Sequence, residues 1–191
     1  VGTHLFVMAT YDGKSVTVPV DTGYYFPADT VLQITAAETA ADTENFRVTM
    51  AVGSADAEPL TNGSGNVYSY TVTGEEADDI AFAYEQMVTK IVLGAPTITA
   101  GSAFDLGTVT VTPVGGANVT AASEPDSGEL DGSNYLQSDQ TYTYTVTVEA
   151  QTNFYLDADG LEVDPGTSGL NVGDLRMDGD DVTFTITFSV T

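Results

Sequence analysis

The sequence predicts an all-β protein built from two tandem antiparallel β-sandwich modules, and three observations lead there. First, Thr141 to Ala150 alternates along its whole length, with Tyr142, Tyr144, Val146 and Val148 on one side and Thr141, Thr143, Thr145, Thr147 and Glu149 on the other. Side chains on a strand point to opposite faces with period two, so one face of this strand is expected to be buried and the other wet. Second, roughly seven shorter runs of the same kind recur in each half, with turn residues every 8–12 positions, which is the cadence of a sandwich. Third, no stretch carries a long amphipathic helical period.

Taken in order, Leu5 to Ala9 is an apolar run that meets Asp12-Gly13, a dipeptide suited to the positive φ of a tight hairpin turn. Ser15 to Val20 is the return strand, and Pro19 marks an edge or its end, because proline donates no ladder hydrogen bond. After a turn through Tyr24-Tyr25-Phe26-Pro27, strands are expected at Val31 to Ala36 and Phe46 to Val52. Ala37 to Glu44 between them reads as a loop or a single helical turn. Gly53 to Gly65, with Pro59 and Asn62-Gly63, is a long hairpin connection. Tyr68 to Thr73 and Ile80 to Tyr84 are strands around the solvated acidic turn Glu75 to Asp79, and Met87 to Leu93 is a strand closing the first module.

Gly94-Ala95-Pro96 is the expected boundary, giving modules 1–93 and 94–191. In the second module, Thr97 to Thr99, Gly107 to Thr112 and Asn118 to Thr120 are short strands, followed by a polar loop from Ser123 to Ser133. Beyond the long strand come an aromatic bend at Asn153 to Gly160, a brief strand at Leu161 to Val163, and a turn at Asp178 to Asp181. That turn leads into a last strand, Val182 to Val190, in which Phe184, Ile186 and Phe188 alternate with threonines.

The charge excludes several functions. The chain holds 28 acidic residues against four basic ones, a formal net charge of −24. Such a surface repels phosphate backbones, so nucleic-acid binding is not expected. Anionic membrane surfaces are disfavoured for the same reason, and no apolar run reaches the length of a membrane-spanning helix. Cysteine is absent, which removes disulfides, thiol nucleophiles and thiolate metal sites.

The remaining chemistry is sparse. His4 is the sole histidine, which leaves no base for a Ser-His-Asp arrangement at any well-placed position. A glycosidase carboxylate pair is not suggested either, since the acids fall in turns and there is no tryptophan on which a sugar ring could stack. Asp157, Asp159, Glu162 and Asp164 place carboxylates close together in a bend, a candidate calcium site in an oxygen-rich environment, although without the full spacing of an EF-hand. Asp174 and Asp178 to Asp181 form a second acidic group that could approach it. Lys14 and Lys90 are the only lysines available for an isopeptide cross-link to an Asn assisted by an acidic residue; no local pattern marks such partners, and both read more simply as surface or edge residues. The sequons at Asn62-Gly63-Ser64 and Asn118-Val119-Thr120 read as chance matches. Tyr24, Tyr25, Tyr135 and Tyr155 lie in or near bends and are candidate binding residues, or plugs of the sandwich ends.

The rhythm of Thr141 to Val148, Asn153 to Gly160, Leu161 to Val163, Asp178 to Asp181 and Val182 to Val190 resembles the Ig-like repeat modules of large bacterial surface proteins. Tyr25-Phe26-Pro27-Ala28-Asp29-Thr30-Val31, Tyr68 to Val72, the acidic turn, and Ile80 to Glu85 make the first half similar to internalin-B-repeat-like modules, with an Ig-like module as the other reading. The resemblance implies a non-catalytic adhesion or spacer segment, extracellular and at the cell surface. It would sit beside neighbouring repeat modules of its parent chain and meet a host or cell-surface protein or glycan. It carries no catalytic residue across. Two alternatives share the fold: a carbohydrate-binding module of a secreted enzyme, and an acidic surface-layer segment of a halophile.

Overall fold

The structure, a computed structural model, describes residues 5–19, 24–36, 45–60, 66–74 and 80–191. Among these residues there is no helix, and strands in several antiparallel sheets make the protein all-β. His4, the Ala37 to Glu44 stretch, the Asn62-Gly63-Ser64 sequon and the Glu75 to Asp79 turn lie outside the described residues.

The chain divides into two compact units, Val1–Gln86 and Met87–Thr191. Unit 1 contains β1 (Leu5–Tyr11), β2 (Lys14–Val18), β3 (Val31–Ala36), β4 (Phe46–Val52), β5 (Glu58–Pro59), β6 (Val67–Thr71) and β7 (Ile80–Met87), whose last residue opens unit 2. Asp12 and Gly13 have φ of 49° and 71°, the two positive values that a two-residue hairpin turn of matching twist requires. The first sheet runs β2-β1-β3-β6, and β5-β4-β7 form the second. Leu5, Val7 and Ala9 alternate inward on β1, as do Leu32, Ile34 and Ala36 on β3, and they pack with Phe46 and Val48 of β4. Burying apolar side chains from both sheets is what joins them, as in a sandwich. Arg47 and Glu85, partners across β4 and β7, add an ion pair at 2.6 Å.

Unit 2 contains β8 (Lys90–Leu93), β9 (Val109–Thr112), β10 (Ala117–Ala121), β11 (Gln140–Ala150), β12 (Phe154–Tyr155), β13 (Glu162–Asp164), β14 (Asn171–Val172), β15 (Arg176–Asp178) and β16 (Asp181–Val190). One sheet runs β10-β11-β16-β14, with β15 also on β16, and another runs β13-β8-β9. β11 is the long alternating strand of the sequence. Tyr142, Tyr144, Val146 and Val148 are all at most 1% exposed and lie opposite Phe188, Ile186, Phe184 and Val182 of β16. The wet face is a ladder of hydroxyls, in which Thr143 pairs with Thr187 and Thr145 with Thr185. Tyr142 is anchored at its tip: its hydroxyl donates to the Glu129 carbonyl (2.8 Å) and accepts from the Gln137 N–H (2.7 Å). Gly128 makes room for that ring, since a Cβ there would lie 2.5 Å from it, and its φ of 96° is open to glycine alone at little cost.

The structure differs from the sequence reading in three places. The Gly94-Ala95-Pro96 boundary falls inside unit 2, because Val88, Ile91 and Leu93 belong to the second core and β8 pairs with β9 and β13. Gly94 is small for a packing reason: its N–H donates to the Thr108 carbonyl at 2.8 Å, and a Cβ would lie 2.3 Å from that oxygen. The expected strand at Thr97 to Thr99 is reduced to one bridge, Thr97 to Asp105. Finally, β13 lies parallel to β8, an exception to the antiparallel expectation.

Candidate functional site

The four calcium candidates belong to unit 2, and the structure separates them into two pairs. Glu162 and Asp164 are two apart on β13, so they share a face, and Glu162 lies opposite Lys90 of β8. The Lys90 ammonium reaches Glu162 at 2.8 Å and Asp164 at 3.4 Å. Asp164 also accepts the Gly166 N–H at 2.8 Å. That backbone hydrogen bond first, and Lys90 second, hold the Asp164 carboxyl below its ordinary range, while the bond to Glu162 raises the Lys90 ammonium. The other two carboxylates are not drawn into this cluster: Asp157 accepts the Asp159 N–H at 3.0 Å in an ordinary turn. Among the described residues, no three acidic or histidine side chains converge on one point that could hold a metal. The structure therefore brings two of the four calcium candidates together, onto a lysine.

The same geometry bears on the isopeptide idea. A bond between Lys and Asn needs a neutral amine to attack the Asn amide carbon, with ammonia leaving, and a protonated acidic neighbour to assist it. Lys90 and Asp164 are each pushed toward the charged form, in a setting open to solvent. They make an ion pair, and Lys90 is a cross-strand clamp.

The tyrosine candidates do not line a common site. In unit 1, Tyr25 is fully exposed and Tyr24 stacks on Phe26 with ring centres 6.3 Å apart. In unit 2, Tyr135 sits in a turn that the Asp131 carboxylate caps by accepting the Ser133 and Tyr135 N–H groups. Tyr155 is half-buried, and its carbonyl accepts the Val88 N–H at 3.0 Å.

A feature that the sequence reading missed is a cleft of about 440 Å³ on the flank of unit 2. One wall is the segment 103–109 and the other is 119–123, with Leu130 and Asn134 also lining it. Its lining is mixed: Phe104, Val109, Val119 and Leu130 are apolar, Asp105, Thr120, Ser123 and Asn134 are polar, and Leu106 and Tyr144 form the buried floor. Phe104 stacks on Tyr144 at 4.4 Å and on Phe188 at 5.0 Å, which holds the first wall against the core. Burial raises the Tyr144 phenol, with a smaller push from Tyr142, so it remains a neutral hydroxyl beside the cleft well above neutral pH.

The backbone of both walls is open. The Ala122 N–H donates to the Thr145 carbonyl, and the Gly116 carbonyl accepts from the Gln151 N–H, so the even-numbered residues of this stretch turn toward β11. Direction alternates along a strand, and Val119 and Ala121 therefore turn their N–H and C=O groups outward. On the other side, the Thr108 and Thr112 carbonyls accept from Gly94 and Thr89, which leaves Val109 and Val111 facing outward by the same alternation. β9 and β10 are each at the end of their sheet. The signal available in sequence was two short, uncharged strands either side of a Pro-Val-Gly-Gly turn.

Comparison of the chain with protein-family models, curated proteins and solved structures gives no match.

Proposed function

We propose that this chain is a non-catalytic adhesion or spacer segment of a bacterial surface protein, extracellular, with its two units as Ig-like β-sandwich modules. The observation that carries the reading is the β11–β16 ladder. Nine consecutive residue pairs, from Gln140–Val190 to Val148–Val182, join the two long strands over a dry core. A spacer transmits load through such hydrogen-bonded strands, and many backbone bonds must break together before the last strand separates. The acidity supports the reading in a second way, since a strongly charged surface keeps a chain soluble and apart from its neighbours when displayed at high density.

The chemistry near the sequence candidates is structural in the same sense. Lys90, Glu162 and Asp164 fasten β8 to β13, and the Asp131 carboxylate shapes a turn. Partners of an adhesion segment would be a host or cell-surface protein or glycan, with neighbouring modules at either end.

Stretching single chains in a force spectrometer tests the spacer reading. Two separate unfolding events per chain, each at a well-defined force, are expected. Extension with no force peaks overturns it. Glycan-array binding abolished by Tyr25→Ala would make the chain a carbohydrate-binding module instead.

A further inference from the structure

We infer that the flank of unit 2 is a strand-addition site: the cleft between Val109 and Val119–Ala121 takes an extended segment of another polypeptide, neutral or basic, with apolar side chains at alternate positions. This inference is independent of where the protein resides, and it stands or falls on the cleft.

The backbone chooses the kind of occupant. Outward N–H and C=O groups on Val109, Val119 and Ala121 offer regularly spaced donors and acceptors to whatever enters. A helix has already used its own backbone groups and cannot answer them, whereas an extended segment can bond to a strand edge along its length. The apolar part of the lining sets the side chains. The half-buried Phe104, Val119 and Leu130 would receive every second residue, because side chains alternate between the two faces of a strand. The wall at 119–123 spans about 17 Å at about 3.4 Å per residue, the length of a short strand.

Charge sets the rest. The lining includes Asp105 and no lysine or arginine, and Glu124 and Asp126 follow the second wall directly. With a net charge of −24 on the whole chain, an acidic segment is repelled before it arrives. The edges themselves carry none of the usual blocks to pairing. β2 has Lys14, β5 is Glu58–Pro59, and β13 has Glu162 and Asp164, whereas Val109–Thr112 and Ala117–Ala121, like the end strands β6 and β14, hold neither a charge nor a proline, and of these β9 and β10 alone line the cleft. Charges and prolines on edge strands are how sheets avoid chance pairing.

The test uses the full chain and a synthetic peptide, Lys-Thr-Val-Thr-Val-Thr-Val-Lys with blocked ends, followed by amide NMR and hydrogen exchange. Shifts centred on Val109, Val119 and Ala121 are expected, with exchange at Val119 and Ala121 slowed about tenfold or more. A version ending in Glu at both positions is expected to bind at least about tenfold more weakly. Ala121→Pro removes an outward N–H that bonds nothing within unit 2, and should abolish the effect while the β11 and β16 amides stay in place. If that variant disturbs the fold, Leu130→Lys places a charge in the cleft without touching the backbone and should abolish binding equally. Four results overturn the inference: no shifts at the cleft, equal binding of the Glu-ended peptide, binding retained in both variants, or the same shifts appearing with protein concentration alone, which would make a second copy the occupant.

Discussion

Val146 and Thr145 are neighbours on one strand and live in different media. Val146 is fully buried against Phe184, whereas the Thr145 hydroxyl donates to the Asp126 carboxylate at 2.8 Å on the open face. Burying a valine contributes about 1.5–3 kcal/mol, and an unpaired charge in its place adds a desolvation cost. Val146→Asp should therefore unfold unit 2, while Thr145→Asp should cost much less, mainly through repulsion from Asp126. Thermal denaturation of the two variants checks this, and equal losses would count against the assigned faces. Thr49 is the opposite case, a hydroxyl that the fold does not use. It is 1% exposed, and its Oγ1 has no hydrogen-bond partner among the described residues. Thr49→Val keeps the branched shape and removes the unmet group, so it should stabilise unit 1 by about 1 kcal/mol. Calorimetry would show this as a rise of about 4–8 °C in Tm for a unit of this size.

Elements were legible in the sequence where local chemistry decides them. The Asp12-Gly13 hairpin follows from two positive φ values, and β3 and β4 follow from alternation alone. The residues of β12, β14 and β15 have no such signature, since strands of two or three residues exist only because a partner lies beside them. Gly94-Ala95-Pro96 looked like a linker because tight packing of backbone on backbone calls for the same small residues as a hinge does. At the site, the shared face of Glu162 and Asp164 was readable from their spacing, but their partner Lys90 is 72 residues away. The cleft was hidden more completely, because unpaired backbone groups rather than distinctive side chains define it.

The β8–β13 clamp makes its own prediction. The Asp164 pKa is lowered in the folded chain, so its stabilising contribution is present above the ordinary aspartate pKa and is lost as pH falls through the lowered value. Lys90→Gln should move the Asp164 titration midpoint upward, yet leave it below the ordinary range, because the Gly166 N–H remains. Carboxyl carbon NMR across acid pH measures it. An unmoved midpoint would mean that the ion pair does not persist in water, where exposed pairs are weak.

At the scale of the whole molecule, 28 acids against four bases impose self-repulsion on the compact state. Raising the salt from about 0.1 M to about 1 M shortens the screening length from about 10 Å to about 3 Å. The Tm of both units should therefore climb with sodium chloride, and a flat or falling Tm would show that the charge costs little. Division of the chain into two units at Gln86–Met87 is the more basic claim, and β8 decides it. Val88, Ile91 and Leu93 are at most 1% exposed within the second core, and Lys90 fastens β13 to the same strand. Two pieces, 87–191 and 94–191, separate the possibilities in a single urea titration. The piece 87–191 should unfold in one cooperative transition, and 94–191, stripped of β8, should show no transition or one at far lower urea; equal midpoints for the two would place β8 outside the second core and contradict the division.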